Sequence, residues 1–206
     1  MRQGITRYAM TGMMCVCFVT AAISHSEDRF LQVGDVAPEI QSVDDRGRVW
    51  SSRNHLGKNL LVVYFYPSDF SFCCTRQAQR YRDLQNALAS QGAKIVGVSG
   101  DAVESHRIFK ATHGLNFTLL ADTQGNVAGL LGVPLRKGGK ALVQDADGNS
   151  VIDDEGTVSK FSREFTAARW TFVVDKDGTI IYREMAVSPV KDSRQVLQFL
   201  QKRNGQ

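Results

Sequence analysis

Two adjacent cysteines, Cys73 and Cys74, stand in the stretch "YFYPSDFSFCCTRQAQRYRDL", just after an apolar run and just before a helical pattern. Neighbouring cysteines suit zinc poorly, because metal sites usually space theirs two to four residues apart. They also suit a structural disulfide poorly: consecutive Cα atoms are about 3.8 Å apart, short of the roughly 4.4–6.8 Å that bridges usually span. A cysteine in the first turn of a helix that follows a buried strand is placed to react. Free N–H groups and the macrodipole there favour the thiolate, the nucleophilic form. With Ser71 at or near the N-cap, Cys74 falls near the third helical position. Pro67 ends the strand and restrains the loop. A hydroxyl, backbone N–H groups and a thiolate could then converge on one small oxygen-containing substrate. The same cysteines also read as two buried small hydrophobes, a common fate of free cysteine. Residue types and spacing leave both readings open.

The elements that must position this loop are legible around it. "LLVVYFY" (60–66) is an unbroken β-branched and aromatic run, the pattern of a strand covered on both faces. From Cys74 onward, Ala78, Tyr81, Leu84 and Leu88 fall on one face of a helix ending near Gly92. "AKIVGVSG" is the next buried strand. "DAVESHRIFKATHG" is a helix whose Asp101 and Glu104 resemble a capping box and which closes at Gly114. His106 and His113 fall on this peripheral helix and are expected to be solvated, and with His55 they lie outside the cysteine motif. "FTLLAD" and "GNVAGLLG" predict a strand and a short helix. "EIQSVDDRGRVWSS" and "TFVVDKDGTIIYREM" predict hairpins at either end, and an amphipathic helix runs from about 188 to 203. This alternation predicts one α/β domain over 27–206, a central mixed sheet flanked by helices.

Residues 134–167 form a polar excursion, with a hairpin around Asp147-Gly148. Asp145, Asp147, Asn149 and Asp153 have the spacing of a calcium loop. The glycine and glutamate that define such a loop are replaced by Ser150 and Gly156, so no metal is expected. No cofactor is expected either.

The first 26 residues read as an export signal. Arg2 and Arg7 lead an uncharged apolar stretch from about Tyr8 to Ile23 that ends in small residues around Ala22, Ser24 and Ser26. The alternative is an uncleaved anchor over 8–23, although about 20 residues are needed to span a bilayer. An exported protein, periplasmic or secreted, is the expectation. Its mature cysteines are then only Cys73 and Cys74. Composition is that of a globular protein, 43% hydrophobic and 22% charged. Without Arg2 and Arg7, 23 basic residues face 21 acidic ones, which gives nucleic-acid binding no support.

"YFYPSDFSFCCT" resembles the active-site segment of the peroxiredoxins, most closely the peroxiredoxin Q or bacterioferritin-comigratory-protein branch, whose pattern Pro-x-x-x-Thr/Ser-x-x-Cys is met by Pro67, Ser71 and Cys74. "VGDVAPEI", "KIVGVSGDAVESHRIF", "FTLLADTQGNVAGLLGV" and "RWTFVVDKDG" match in the same order, so the resemblance covers roughly 32–133 and 168–203. It implies a thioredoxin-like fold and a peroxidase acting on hydrogen peroxide and organic hydroperoxides. Cys74 would be the peroxidatic nucleophile and Ser71 the hydroxyl that bonds the substrate. Pro67 would shield the pocket, and Arg169 would hold the thiolate and orient the peroxide. The chain departs from the family where a resolving cysteine, a glutamate and a glycine are frequent: these places hold Gln79, Gln77 and Cys73. A one-cysteine mechanism with an external thiol (thioredoxin-like, glutaredoxin-like or small) follows, with Cys73 or an intermolecular disulfide as the alternative resolving routes. A monomer or homodimer fits this reading. Two other functions share the fold: a redox sensor with weak turnover, and a thiol–disulfide oxidoreductase, whose Cys-x-x-Cys pair is lacking here.

Overall fold

The computed structural model describes Met1, residues 30–152 and residues 155–205. Apart from Met1, the expected export segment lies outside the described residues, as does Asp153 of the rejected calcium loop. The strands are β1 (Gln41–Asp44), β2 (Val49–Ser51), β3 (Leu60–Phe65), β4 (Ala93–Ser99), β5 (Thr118–Ala121), β6 (Leu135–Lys137), β7 (Lys140–Leu142), β8 (Lys160–Ser162), β9 (Phe165–Ala167), β10 (Thr171–Val174) and β11 (Ile180–Glu184). The helices are α1 (Phe72–Ser90), α2 (Val103–His113), α3 (Asn126–Leu130) and α4 (Asp192–Asn204).

β3 organises the rest. Its six residues are all buried, and the two-residue period of a strand sends them alternately to opposite sides. Leu60, Val62 and Tyr64 join a core with α1, Phe109 of α2, and Val196 and Leu200 of α4. Leu61, Val63 and Phe65 join a second core with Ile40, Trp50, Val127 and Ala128 of α3, and Phe172. Each such side chain contributes about 1.5–3 kcal/mol of transfer free energy, so this strand anchors both layers. β3, β4 and β5 are parallel, and β10 lies antiparallel to β3 on its other side. The hairpins close the edges, giving the order β11-β10-β3-β4-β5-β1-β2. This is the α/β sandwich on a mixed sheet that the alternation of elements predicts.

Two local expectations change. Asp101 does not cap α2, whose N-cap is Ala102 with no side-chain cap bond. Its carboxylate is instead buried and accepts from Ser99 Oγ and from the Asp69 N–H, both at 2.8 Å. The last helix begins at Asp192, after a turn in which Lys191 and Asp192 donate to the Ser188 carbonyl.

The excursion at 134–167 folds into a β-arm. β6 pairs with β9 and β7 with β8, and bridges join Gln144 to Ser150 and Ile152 to Val158. The hairpin around Asp147-Gly148 is present, turned by Asp145, whose Oδ1 accepts from the N–H groups of Asp147 and Asn149. The arm folds back onto the body: Val143 is buried in the first core and Phe161 packs against it. Gly100 permits this return, because a Cβ there would collide with the Phe165 carbonyl oxygen. No helix among the described residues is long and apolar enough to cross a membrane.

Candidate active site

The loop from β3 to α1 is clamped before it reaches the cysteines. Phe70 adopts a left-handed backbone, φ 57°, which costs a non-glycine residue about 1–3 kcal/mol. Packing holds it there, with ring centroids 5.2 Å from Phe109 and 6.4 Å from Phe161 of the arm. The preceding residue, Asp69, is fully buried, and its carboxylate bonds Tyr66 OH, Ser105 Oγ and His106 Nδ1, each at 2.8 Å. The other ring nitrogen of His106, Nε2, lies 3.1 Å from the Leu120 carbonyl. Both partners are acceptors, so the imidazolium, which donates from both nitrogens, fits the site. Burial opposes that charge, but the Asp69 carboxylate outweighs it and raises the pKa. Burial and the nearby Asp69 charge push Asp101 up to about 6. The expected solvation of His106 and His113 is therefore wrong. His106 is fully buried, and His113 is buried against Phe70 and Phe109, where burial depresses its pKa. Both sit on the inner face of α2, and the acceptors that hold His106 come from distant segments.

Ser71 is the N-cap of α1, so Phe72, Cys73 and Cys74 are its first three residues. Its hydroxyl does not cap the helix but donates to the Ser68 carbonyl at 3.3 Å. Pro67 and Ser71 together line a groove beside the loop. Successive helical residues are turned by about 100°, which sends the two cysteines apart. Cys73 is exposed and Cys74 is 1% exposed, and both are free thiols.

Arg169 immediately precedes Trp170, whose carbonyl accepts the Phe65 N–H at 2.7 Å, and this fixes the arginine beside the end of β3. One guanidinium nitrogen, Nη2, lies 3.2 Å from Cys74 Sγ. The other, Nη1, donates to Gln77 Oε1. Gln77 passes the contact on: its Nε2 donates to Asp192 Oδ2 at 2.7 Å. Tyr81 OH and Thr171 Oγ1 donate to the same oxygen, at 2.7 and 2.9 Å. Burial raises the pKa of Asp192, and the hydrogen bonds from Tyr81, Gln77 and Thr171 counter it. Sequence reasoning found Gln77 only as a departure from a pattern and missed Asp192 altogether. The latter lies 115 residues from Gln77, at the start of another helix, with no local signal of contact. Among the described residues no group of three or more His, Cys, Asp or Glu is placed to hold a metal.

A buried sulfur in a helix's first turn, facing a permanently charged guanidinium with several donors, is equipped for nucleophilic attack and for stabilising charge on a leaving oxygen. On this mixed sheet it defines a thiol-dependent oxidoreductase with a thioredoxin-like fold. The chain belongs to the AhpC/TSA family, whose model matches residues 33–183. It is 32% identical over 163 residues to peroxiredoxin Bcp of Bacillus subtilis, covering 79% of this chain and 89% of that one. Over 169 residues it is 33% identical to chloroplastic peroxiredoxin Q of Oryza sativa subsp. japonica, covering 82% of this chain and 66% of the relative. The structure of peroxidoxin BcpB from Mycobacterium tuberculosis superposes with a TM-score of 0.66 at 25% identity, over 84% of this chain and 97% of that one. Bacterioferritin comigratory protein of Xanthomonas campestris, described for its alkyl peroxide reduction activity, shares the fold with a TM-score of 0.63 at 23% identity, over 80% and 91%. These relatives assign the chain to the peroxiredoxin Q/Bcp branch and make it a thiol-dependent peroxidase.

Proposed function

We propose that Cys74 is the peroxidatic cysteine, acting by a one-cysteine mechanism. The Cys74 sulfur attacks one oxygen of the peroxide, the O–O bond breaks, and the departing alkoxide or hydroxide takes a proton to leave as alcohol or water. Cys74 is left as a sulfenic acid. One external thiol condenses with it, releasing water, and a second frees Cys74 as the oxidised external disulfide departs. The observation that carries this reading is Arg169 Nη2 at 3.2 Å from Cys74 Sγ. In that place the guanidinium holds the sulfur and meets the negative charge that develops on the leaving oxygen. Ser71 and Pro67 border the approach, the hydroxyl to bond the substrate and the ring to shield it. External resolution is supported by Gln79 at the position frequent for a resolving cysteine and by the exposure of Cys73, which points away from the buried Cys74. The reductant is a thioredoxin-like, glutaredoxin-like or small thiol, and the protein acts as a monomer or homodimer.

The test uses reduced protein, peroxide and a thiol. Cys74→Ser should abolish turnover, while Cys73→Ser should retain it, with intact mass showing a single oxygen on Cys74 after one equivalent of peroxide. Loss of activity in Cys73→Ser alone refutes the assignment. We further propose that residues 1–26 direct export. Fractionation of cells expressing the full chain should find the protein outside the cytoplasm, and retention there refutes it.

A further inference from the structure

The β-arm sends one charged side chain into the body. Arg163 stands between β8 and β9, and its side chain is only 11% exposed. Its N–H donates to the Gly139 carbonyl at 3.0 Å, and the Gly138 N–H donates to the Glu164 carbonyl at 2.7 Å, so the two connections of the arm lie against each other. A Cβ at Gly138 would strike the Arg163 carbonyl oxygen, so this approach needs a glycine. The Arg163 Nε donates to Thr166 Oγ1 at 3.2 Å, which aims the guanidinium. Its Nη1 then faces Asp101 Oδ1 at 3.7 Å. That is too long for a hydrogen bond, and both atoms are buried without a hydrogen-bond partner. What joins them is charge.

Asp101 is fully buried, and its other oxygen accepts the Asp69 N–H and Ser99 Oγ. A buried carboxylate without a cation is costly. Asp69 already has its counter-charge in His106, at 2.8 Å. Asp101 is therefore the anion of this cluster that still needs one, and the arm brings it. The Asp69 N–H is where that anion grips the cysteine loop: Phe70, the next residue, is held in its left-handed backbone, and Ser71 starts the helix that carries Cys74. Arg163 itself lies outside the segments by which the chain resembles the peroxiredoxins. Resting on the peroxidase reading above, we infer that Arg163 is a positioning residue for the reaction. Its charge keeps Asp101 as the anion that holds the Asp69 N–H, and so fixes the loop bearing Pro67 and Ser71 and the first turn of α1. Arg163 acts through Asp101 and not on the peroxide.

The test is a double-mutant cycle between Arg163 and Asp101 in the full chain, read by the first-turnover rate with hydrogen peroxide. Hydrogen exchange over residues 67–71 is followed alongside, because it reports the grip on the Asp69 N–H whatever the chemistry. Arg163→Met should slow the first turnover about tenfold, within the roughly 10²-fold that a misplacement of about 1 Å can cost, and should quicken exchange in the loop. Arg163→Lys should recover most of both, since the pair is joined by charge and not by the guanidinium fork. In an Asp101→Asn background the neutral amide needs no cation, so adding Arg163→Met should slow nothing further. That comparison decides the matter even where Arg163→Met alone does not fold. The inference is overturned if Arg163→Met costs the same factor in both backgrounds, if Arg163→Lys does no better than Arg163→Met, or if loop exchange is unchanged. A wild type inert to hydrogen peroxide overturns the peroxidase reading instead, and the exchange rates then judge the Arg163–Asp101 contact by themselves.

Discussion

Replacing Arg169 tests the electrostatics of the site most directly. Its Nη2 lies 3.2 Å from Cys74 Sγ, which places the two charge centres about 4 Å apart in the reactive state. At an effective dielectric near 20 such a pair is worth roughly 4 kcal/mol. Loss of one preorganised donor to a developing anion costs about 2.7–4 kcal/mol in systems of this kind, a factor of about 10²–10³. The two magnitudes agree, so Arg169→Gln should slow the first-turnover reaction with hydrogen peroxide about 10²–10³-fold. Arg169→Lys keeps the charge, but one ammonium on a flexible stem cannot serve both Cys74 Sγ and Gln77 Oε1 as the guanidinium does. That variant should therefore fall between, about 10–10²-fold down. Arg169→Gln also takes the guanidinium donor from Gln77 Oε1, at a stability cost of about 1–3 kcal/mol. Chemical denaturation, run in parallel, separates that loss from the kinetic one. The rate itself is read by mixing reduced protein with peroxide, quenching, and counting the Cys74 sulfenic acid by intact mass. An Arg169→Gln enzyme within fivefold of wild type would refute the reasoning.

Two further outcomes follow from the buried networks. Tyr81→Phe removes one of three donors to Asp192 Oδ2 and should cost about 2 kcal/mol at pH 8, where the acceptor is ionised. Because burial raises the Asp192 pKa, the deficit should shrink in acid as the carboxyl takes up a proton, so an equal loss at pH 4 and pH 8 counts against the network. His106 has a raised folded pKa, so its contribution to stability is complete below its unfolded value of about 6.5 and is lost as pH rises through the folded one. The stability gap between wild type and His106→Gln, measured by urea denaturation, should accordingly narrow from pH 5.5 to pH 8.5, and a gap that widens would reverse the sign of the argument.

Much of the scaffold is written in local pattern. The unbroken run at 60–65 announces a strand covered on both faces, and the spacing of Ala78, Tyr81 and Leu88 gives the inner face of α1. The start of that helix was equally legible, because Ser71 and the strand-ending Pro67 bracket it. What escaped reading depends on segments meeting across the fold. Asp101 and Glu104 have the spacing of a capping box, yet Asp101 is drawn off by the Asp69 N–H, 32 residues earlier. His106 looked like a surface histidine because its two acceptors, Asp69 and the Leu120 carbonyl, belong to other elements. The arm was visible as an anomaly and its tip hairpin was readable, but its seat against the cysteine loop is set by Phe161 meeting Phe70, which no spacing encodes.

The divergence of the two neighbouring thiols at the start of α1 bears on how this protein is handled at the bench. Cys73 is open to reagents and Cys74 is sealed. A bulky maleimide or a biotin tag applied to the native enzyme will find the former first, and a protein that scores as labelled can still be fully active. Thiol titrations meant to report the redox state of Cys74, the proposed nucleophile, need denaturing conditions together with a Cys73→Ser background, since unfolding alone exposes both sulfurs and the substitution alone leaves Cys74 sealed.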